Sequence, residues 1–169
     1  MWLKLLIYLF VFSNLHFGYD LTQAGILKPF CGIDESVFEH LKMAFWAYSI
    51  ASIAEYGLFK PKGLPRNFFY SRLLSTILVP WTIVLLWYLA PATVGKMQLQ
   101  AVELTWAIAV SAGSGFIGIY IERNIQETRL ENATRAILIT LYLISAFLFI
   151  RFTYSKPWID LFINPETIM

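Results

Sequence analysis

The chain has 169 residues, of which 58% are hydrophobic, 17% aromatic and only 14% charged, and its mean hydropathy is +0.61. A water-soluble domain of this size is not built from such a composition, so a lipid environment is the natural reading. The net charge is +2, with Lys and Arg in short clusters between apolar runs; these read as topology signals and leave no nucleic-acid footprint, while the single cysteine, Cys31, excludes an intrachain disulfide and any Cys-x-x-Cys metal site.

In chain order, apolar windows predict helices over about 2–17, 36–59, 68–90, 101–121 and 136–152, followed by a tail over 153–169. Each window approaches the ~20 residues that a hydrocarbon core demands. Backbone groups in lipid must be satisfied internally, and the alternating segments of a barrel are missing, so the expected fold is an all-α single membrane domain, an integral bundle of about five transmembrane helices. The first window carries Lys4 and raises the question of a cleaved signal; Ser13-Asn14-Leu15-His16 is a poor cleavage site, and a retained first helix is expected. Pro61-Lys62-Gly63-Leu64-Pro65 reads as a rigid turn, Pro91 as the end of the third helix, and Pro157 and Pro165 as shaping the tail.

The cations give a direction. Lys60, Lys62 and Arg66, with Arg72 just inside the third helix, and Arg123, Arg129 and Arg135 before the fifth mark two cytoplasmic connections. A multi-pass plasma-membrane protein is expected, with the N-terminus and Lys4 inside and the C-terminal tail with Arg151 and Lys156 outside. Asn132-Ala133-Thr134 has the form of a glycosylation acceptor but falls on the inner side, and is discounted.

The densest polar run is Asp34-Glu35-Ser36-Val37-Phe38-Glu39-His40-Leu41-Lys42, directly before the second apolar window. Ser36 and Glu39 have the spacing of a capping box, and acidic residues suit a helix start through the macrodipole, so capping alone accounts for much of the run. It does not account for His40. His16, Asp20, Glu103 and Asp160 fall on the same outer face by this topology. Ionisable groups bordering membrane spans count as site candidates by default. The candidate ligand-binding set is therefore His16, Asp20, Glu35, Glu39, His40, Lys42, Glu103 and Asp160, with His40, Glu39 and His16 as candidate acid–base groups on a substrate entering from the bilayer.

Imidazole with carboxylates also suits zinc, manganese or iron, which makes His16, Glu35, Glu39 and His40 a candidate shell for a divalent metal. Glu35 and Glu39 have the i,i+4 spacing of paired helical ligands, whereas Glu39 and His40 are adjacent and diverge by about 100° on a helix. Hydrogen bonding between histidine and carboxylate explains the same residues without a metal. Neither Gly-x-Ser-x-Gly nor His-Glu-x-x-His is present.

Glu55, if buried, requires Arg66 or Arg72 as partner, and this pairing is preferred to a proton relay. Ala107, Ser111, Ser114, Gly115 and Gly118 form a small-residue face on the fourth helix that permits close approach of another helix, including a partner's. The stretch from Glu122 to Arg135 alternates acids and arginines and reads as a solvated helix extension with local salt bridges.

His16, the run from Asp34 to Lys42, Glu55-Tyr56, Asn67-Phe68 and Leu161-Phe162-Ile163-Asn164-Pro165 together resemble a family of small polytopic membrane proteins from bacteria and archaea, a domain of unknown function with a Glu-Ser-x-x-Glu-His-Leu-Lys motif. The resemblance spans nearly the whole chain. It departs at Asp34, where Asn is expected, at Phe38 for Trp, and at Asn164 for Asp, which removes any tail carboxylate there. It implies a prokaryotic membrane location and a five-span fold, and no activity. Three functions follow for testing: a polar site at the outer face, a structural or assembly subunit, and a proton or ion pathway.

Overall fold

The computed structural model describes residues 2–59, 63–95, 97 and 99–164; Lys60, Pro61, Lys62, Pro165 and the end of the tail, for which a turn, cytoplasmic charge and tail shape were expected, lie outside the described residues. Five helices run α1 (Trp2–Thr22), α2 (Val37–Phe59), α3 (Phe68–Val94), α4 (Gln100–Ile125) and α5 (Asn132–Tyr154), with single 3-10 turns at Gly25–Leu27 and Asp160–Phe162. Among the described residues there is no strand. Three helices, Phe68–Val94, Ala101–Ile125 and Asn132–Tyr154, are long and apolar enough to cross a membrane. In their most apolar windows only 28%, 28% and 11% of residues are buried in the protein, so side chains such as Trp81, Leu85, Ile108, Leu143 and Phe147 form an exposed apolar surface of the kind that lipid covers. α1 and α2 fall short of that mark, and they carry Lys4, Glu39, Lys42 and Glu55.

Pro91 does not end α3. The helix continues to Val94 and stops at Gly95, whose φ of +79° is open to glycine and costly for other residues. A proline inside a helix frees the carbonyl four residues earlier, and here that carbonyl, Trp87 O, accepts a hydrogen bond from the Trp106 indole of α4 at 3.4 Å. α4 likewise outruns its expected end at 121. Glu122 lies inside the helix and is fully buried, which corrects its reading as solvated, because it falls four residues after Gly118 and so shares the inward face.

α3 packs on α2, α4 and α5, and α1 on α2 and α4. Successive helices alternate in direction: the start of α1 meets the end of α4 through Lys4 and Glu122, and the end of α1 meets the start of α2 through the rings of His16 and His40. The core gathers Tyr8, Ala44, Ala47, Tyr48, Ala51, Val79, Ile83 and Ile119. The small-residue face of α4 is filled from within the chain. A Cβ on Gly115 would lie 2.6 Å from the Tyr8 ring, and one on Gly118 2.6 Å from Val79. Ser75 of α3 also donates to Gly118 O at 2.8 Å. At Gly115 and Gly118 the face offered to a partner helix is thus occupied by side chains of α1, α2 and α3.

Candidate functional site

The connection between α1 and α2 folds back onto α1 instead of leaving the bundle. The Gly32 N–H donates to Leu15 O at 3.1 Å, and a Cβ at Gly32 would come within 3.0 Å of the Met43 sulfur, so a side chain there would require Met43 to shift. Just beyond, the Asp34 carboxylate accepts the Ser36 N–H at 2.9 Å in an Asx turn. Fold-back and turn together set Glu35 beside His16 and His40.

His16 Nε2 and His40 Nε2 each lie 3.8 Å from Glu35 Oε2, the ring centroids are 5.3 Å apart, and one ligand atom from each of the three residues lies within 4.8 Å of the others. His40 Nδ1 stands 3.0 Å from Ser36 O. Its partner is a carbonyl, so Nδ1 carries a proton and Nε2 is the nitrogen that faces Glu35. A histidine whose outer N–H is held by a carbonyl while the other nitrogen faces the site has the outer hydrogen bond typical of a metal ligand. His16 Nδ1 is buried without a hydrogen-bond partner among the described residues. Ligands about 2 Å from a shared ion stand roughly 3.3 Å apart in a tetrahedral site, and the two His–Glu35 separations of 3.8 Å are of that order. A cavity of about 240 Å³ adjoins the cluster, lined by His16, Asp20, Gly32, Ile33, Asp34, Glu35, Met43 and Asn164.

The remaining candidates separate into other roles. Glu39, expected both as capping residue and as ligand, is fully buried; its carboxylate takes Lys42 Nζ at 2.6 Å and the Ile33 N–H at 3.1 Å, with Lys156 Nζ at 3.6 Å. The capping box does not form: the Ser36 N–H goes to Asp34, and the Ser36 hydroxyl has no partner among the described residues. The buried ammonium of Lys42 has captured the carboxylate that would have capped the helix. Lys42 is itself buried, donating to Lys28 O at 2.7 Å and Thr153 Oγ1 at 3.3 Å. It ties the α1–α2 connection to α5. Lys156 pairs with Asp34 and brings the tail to the same end. Burial works against ionisation of Asp34, but hydrogen bonds from Lys156 and Ser36 outweigh it and hold the carboxyl below its ordinary value. Asp20 lines the cavity; Glu103 and Asp160 are exposed and do not.

A second polar cluster lies at the opposite end, and most of it is not evident from the sequence. Lys4 Nζ sits 2.6 Å from Glu122 and 2.9 Å from Glu55. Arg72 grips Glu55 through two nitrogens at 3.0 and 3.2 Å and donates to Gln126 Oε1 at 2.8 Å. Tyr48 OH donates to Glu122 at 2.9 Å. Of the two partners proposed for Glu55, Arg72 fills the role. Next to this cluster Asn67 donates through its side chain to Thr128 O and accepts from Arg135 at 3.3 Å, binding the α4–α5 turn to the start of α3. The missed signal was helical spacing. Lys4 and Tyr8 share one face of α1, and Gly118 and Glu122 share one face of α4.

Residues 1–167 match the family described as "Family of unknown function (DUF6512)". No curated protein and no solved structure matches the chain.

Proposed function

The chain belongs to this family of unknown function, and we propose that it is a five-span membrane protein that binds a divalent transition-metal ion through His16, Glu35 and His40. The observation that carries the metal reading is the convergence of three ligand atoms within 4.8 Å of one another beside a polar cavity. Charge supports it. Asp20 and Glu35 on the cavity wall have no Lys or Arg partner among the described residues, a deficit that one divalent cation neutralises. Two imidazoles and one carboxylate favour zinc, iron or a neighbouring transition metal over the oxygen-preferring magnesium and calcium.

Five spans are supported by how the two more polar helices dispose of their charges. Lys4 and Glu55 pair inside the bundle, as do Glu39 and Lys42, so these ions need not meet lipid. The exposed Arg66, Arg123 and Arg129 gather at the end where Lys4 lies. By the positive-inside rule this end is cytoplasmic, which puts the metal site and the C-terminal tail outside. Side chains of α1, α2 and α3 fill the face of α4 at Gly115 and Gly118, which counts against an assembly role that docks a partner there. Ser49 and Ser52 bond to carbonyls of their own helix, which counts against a polar path between the two ends.

The test is metal analysis of protein purified in detergent and titrated with zinc. One tightly held equivalent is expected, with affinity falling at least ~10-fold in His16→Ala, His40→Ala and Glu35→Gln and unchanged in Glu103→Gln. Metal content unaffected by His40→Ala would overturn the reading.

A further inference from the structure

Resting on that metal reading, we infer that the centre is open: His16, Glu35 and His40 supply three ligands, and the remaining positions take a small exogenous donor ligand held in the adjoining cavity against Asp20. Closed structural sites use four protein ligands, whereas three ligands with a free position are the arrangement of sites that bind water or substrate. Of the nearby groups that could complete the shell, Asp20 lies outside the set whose ligand atoms are within 4.8 Å of one another, and the other two are committed elsewhere. Glu39 is held by Lys42 and the Ile33 N–H, and Asp34 by Lys156 and the Ser36 N–H.

Space and charge define the class of ligand. The cavity of about 240 Å³ holds several molecules of water or one small solute, since a water takes roughly 30 Å³ of liquid. Its walls include Asp20, Asp34, Glu35 and Asn164, which favour a hydrogen-bonding guest. A divalent ion only balances Asp20 and Glu35, so no positive surplus is left to attract a polyanion. Neutral or singly charged oxygen and nitrogen donors fit; di- and triphosphates do not. Asp20 falls four residues after His16 on α1, on the same face, and borders the guest without being a ligand.

Cobalt(II)-loaded protein in detergent, titrated with azide and followed by its visible absorption, tests this. The expected result is a saturable shift of the cobalt bands, with azide binding about fivefold tighter in Asp20→Asn, because the substitution removes a negative charge next to an anionic probe at a cost in size of almost nothing. Asp20 is exposed, so the variant folds, and cobalt retention is read in the same samples. Cobalt retained through the histidines with bands indifferent to azide overturns the open centre and leaves the metal reading standing. An azide response identical in Asp20→Asn overturns its placement in the cavity. Cobalt that is not retained, or is retained equally by His40→Ala, overturns the metal reading itself.

Discussion

Lys4, in the first turn of α1, holds its ammonium 2.6 Å from the carboxylate of Glu122 in the last turn of α4, a contact across 118 residues of sequence. The side chains retain 3% and 0% of their exposure. Removing one member of a buried ion pair leaves the other uncompensated, at a typical cost of 3–5 kcal/mol. Lys4→Met is expected to lose roughly that much. Joining it to Glu122→Gln should recover a large part, since the second change removes the stranded charge. Unfolding in detergent, followed for both single variants and the double, gives the coupling; strict additivity would mean that the two charges do not sense each other.

Tyr48→Phe removes only the hydroxyl that donates to Glu122 at 2.9 Å. A hydrogen bond to a charged group contributes about 1.5–3 kcal/mol. A loss in that range is expected in the same unfolding measurement, and it should shrink toward the ~0.5–1.5 kcal/mol of a neutral hydrogen bond in a Glu122→Gln background, where the amide oxygen still accepts.

The glycines divide sharply. Gly115→Ala places a methyl 2.6 Å from the Tyr8 ring and should cost about 1–3 kcal/mol, as overpacking does. Gly57 in α2 has open space around the same position. Gly57→Ala should therefore be neutral or stabilise by up to ~1 kcal/mol, because alanine restricts the unfolded chain. If both substitutions behaved alike, the close approach of α1 to α4 would be refuted.

Orientation is accessible to cysteine labelling. Cys31 is buried, with 2% of its surface exposed, and a Cys31→Ser background removes it altogether. Arg129→Cys should resist a membrane-impermeant maleimide in intact cells and react after lysis. Trp158→Cys, at a position 94% exposed, should react in intact cells. The reverse pattern would invert the topology.

How far the sequence led depended on whether a residue's neighbours were local. The apolar runs of α3, α4 and α5 were legible because each is a property of consecutive residues. The proximity of His16 to His40 was open to inference from the facing ends of two successive helices, and Arg72 as partner of Glu55 followed from the next helix in line. Glu39 was harder. Its carboxylate is taken by Lys42, three residues on in the same helix, and by the Ile33 N–H that the fold-back after Gly32 delivers, with Lys156 farther off; only the first of these partners was within local reach. Glu122 was misplaced for a related reason: it borders a stretch rich in charge, and only its spacing from Gly118 shows that it belongs to the buried face. Pro91 was overruled by a tertiary donor, the Trp106 indole, that no local pattern discloses.

The cluster around Lys4 also bears on how such a chain is made. In order of synthesis its ions are Lys4, Glu55, Arg72 and Glu122, alternately positive and negative. On the five-span reading proposed above, α2 and then α4, on entering the bilayer, each bring the charge that cancels the one before it. The running sum within the cluster never exceeds one elementary charge, and it returns to zero when α2 arrives and again when α4 does. A helical hairpin of α1 and α2 is thus already neutral at this end, and α3 and α4 add a second neutral pair, which lets a strongly ionic junction be assembled in lipid stepwise without stranding more than a single ion.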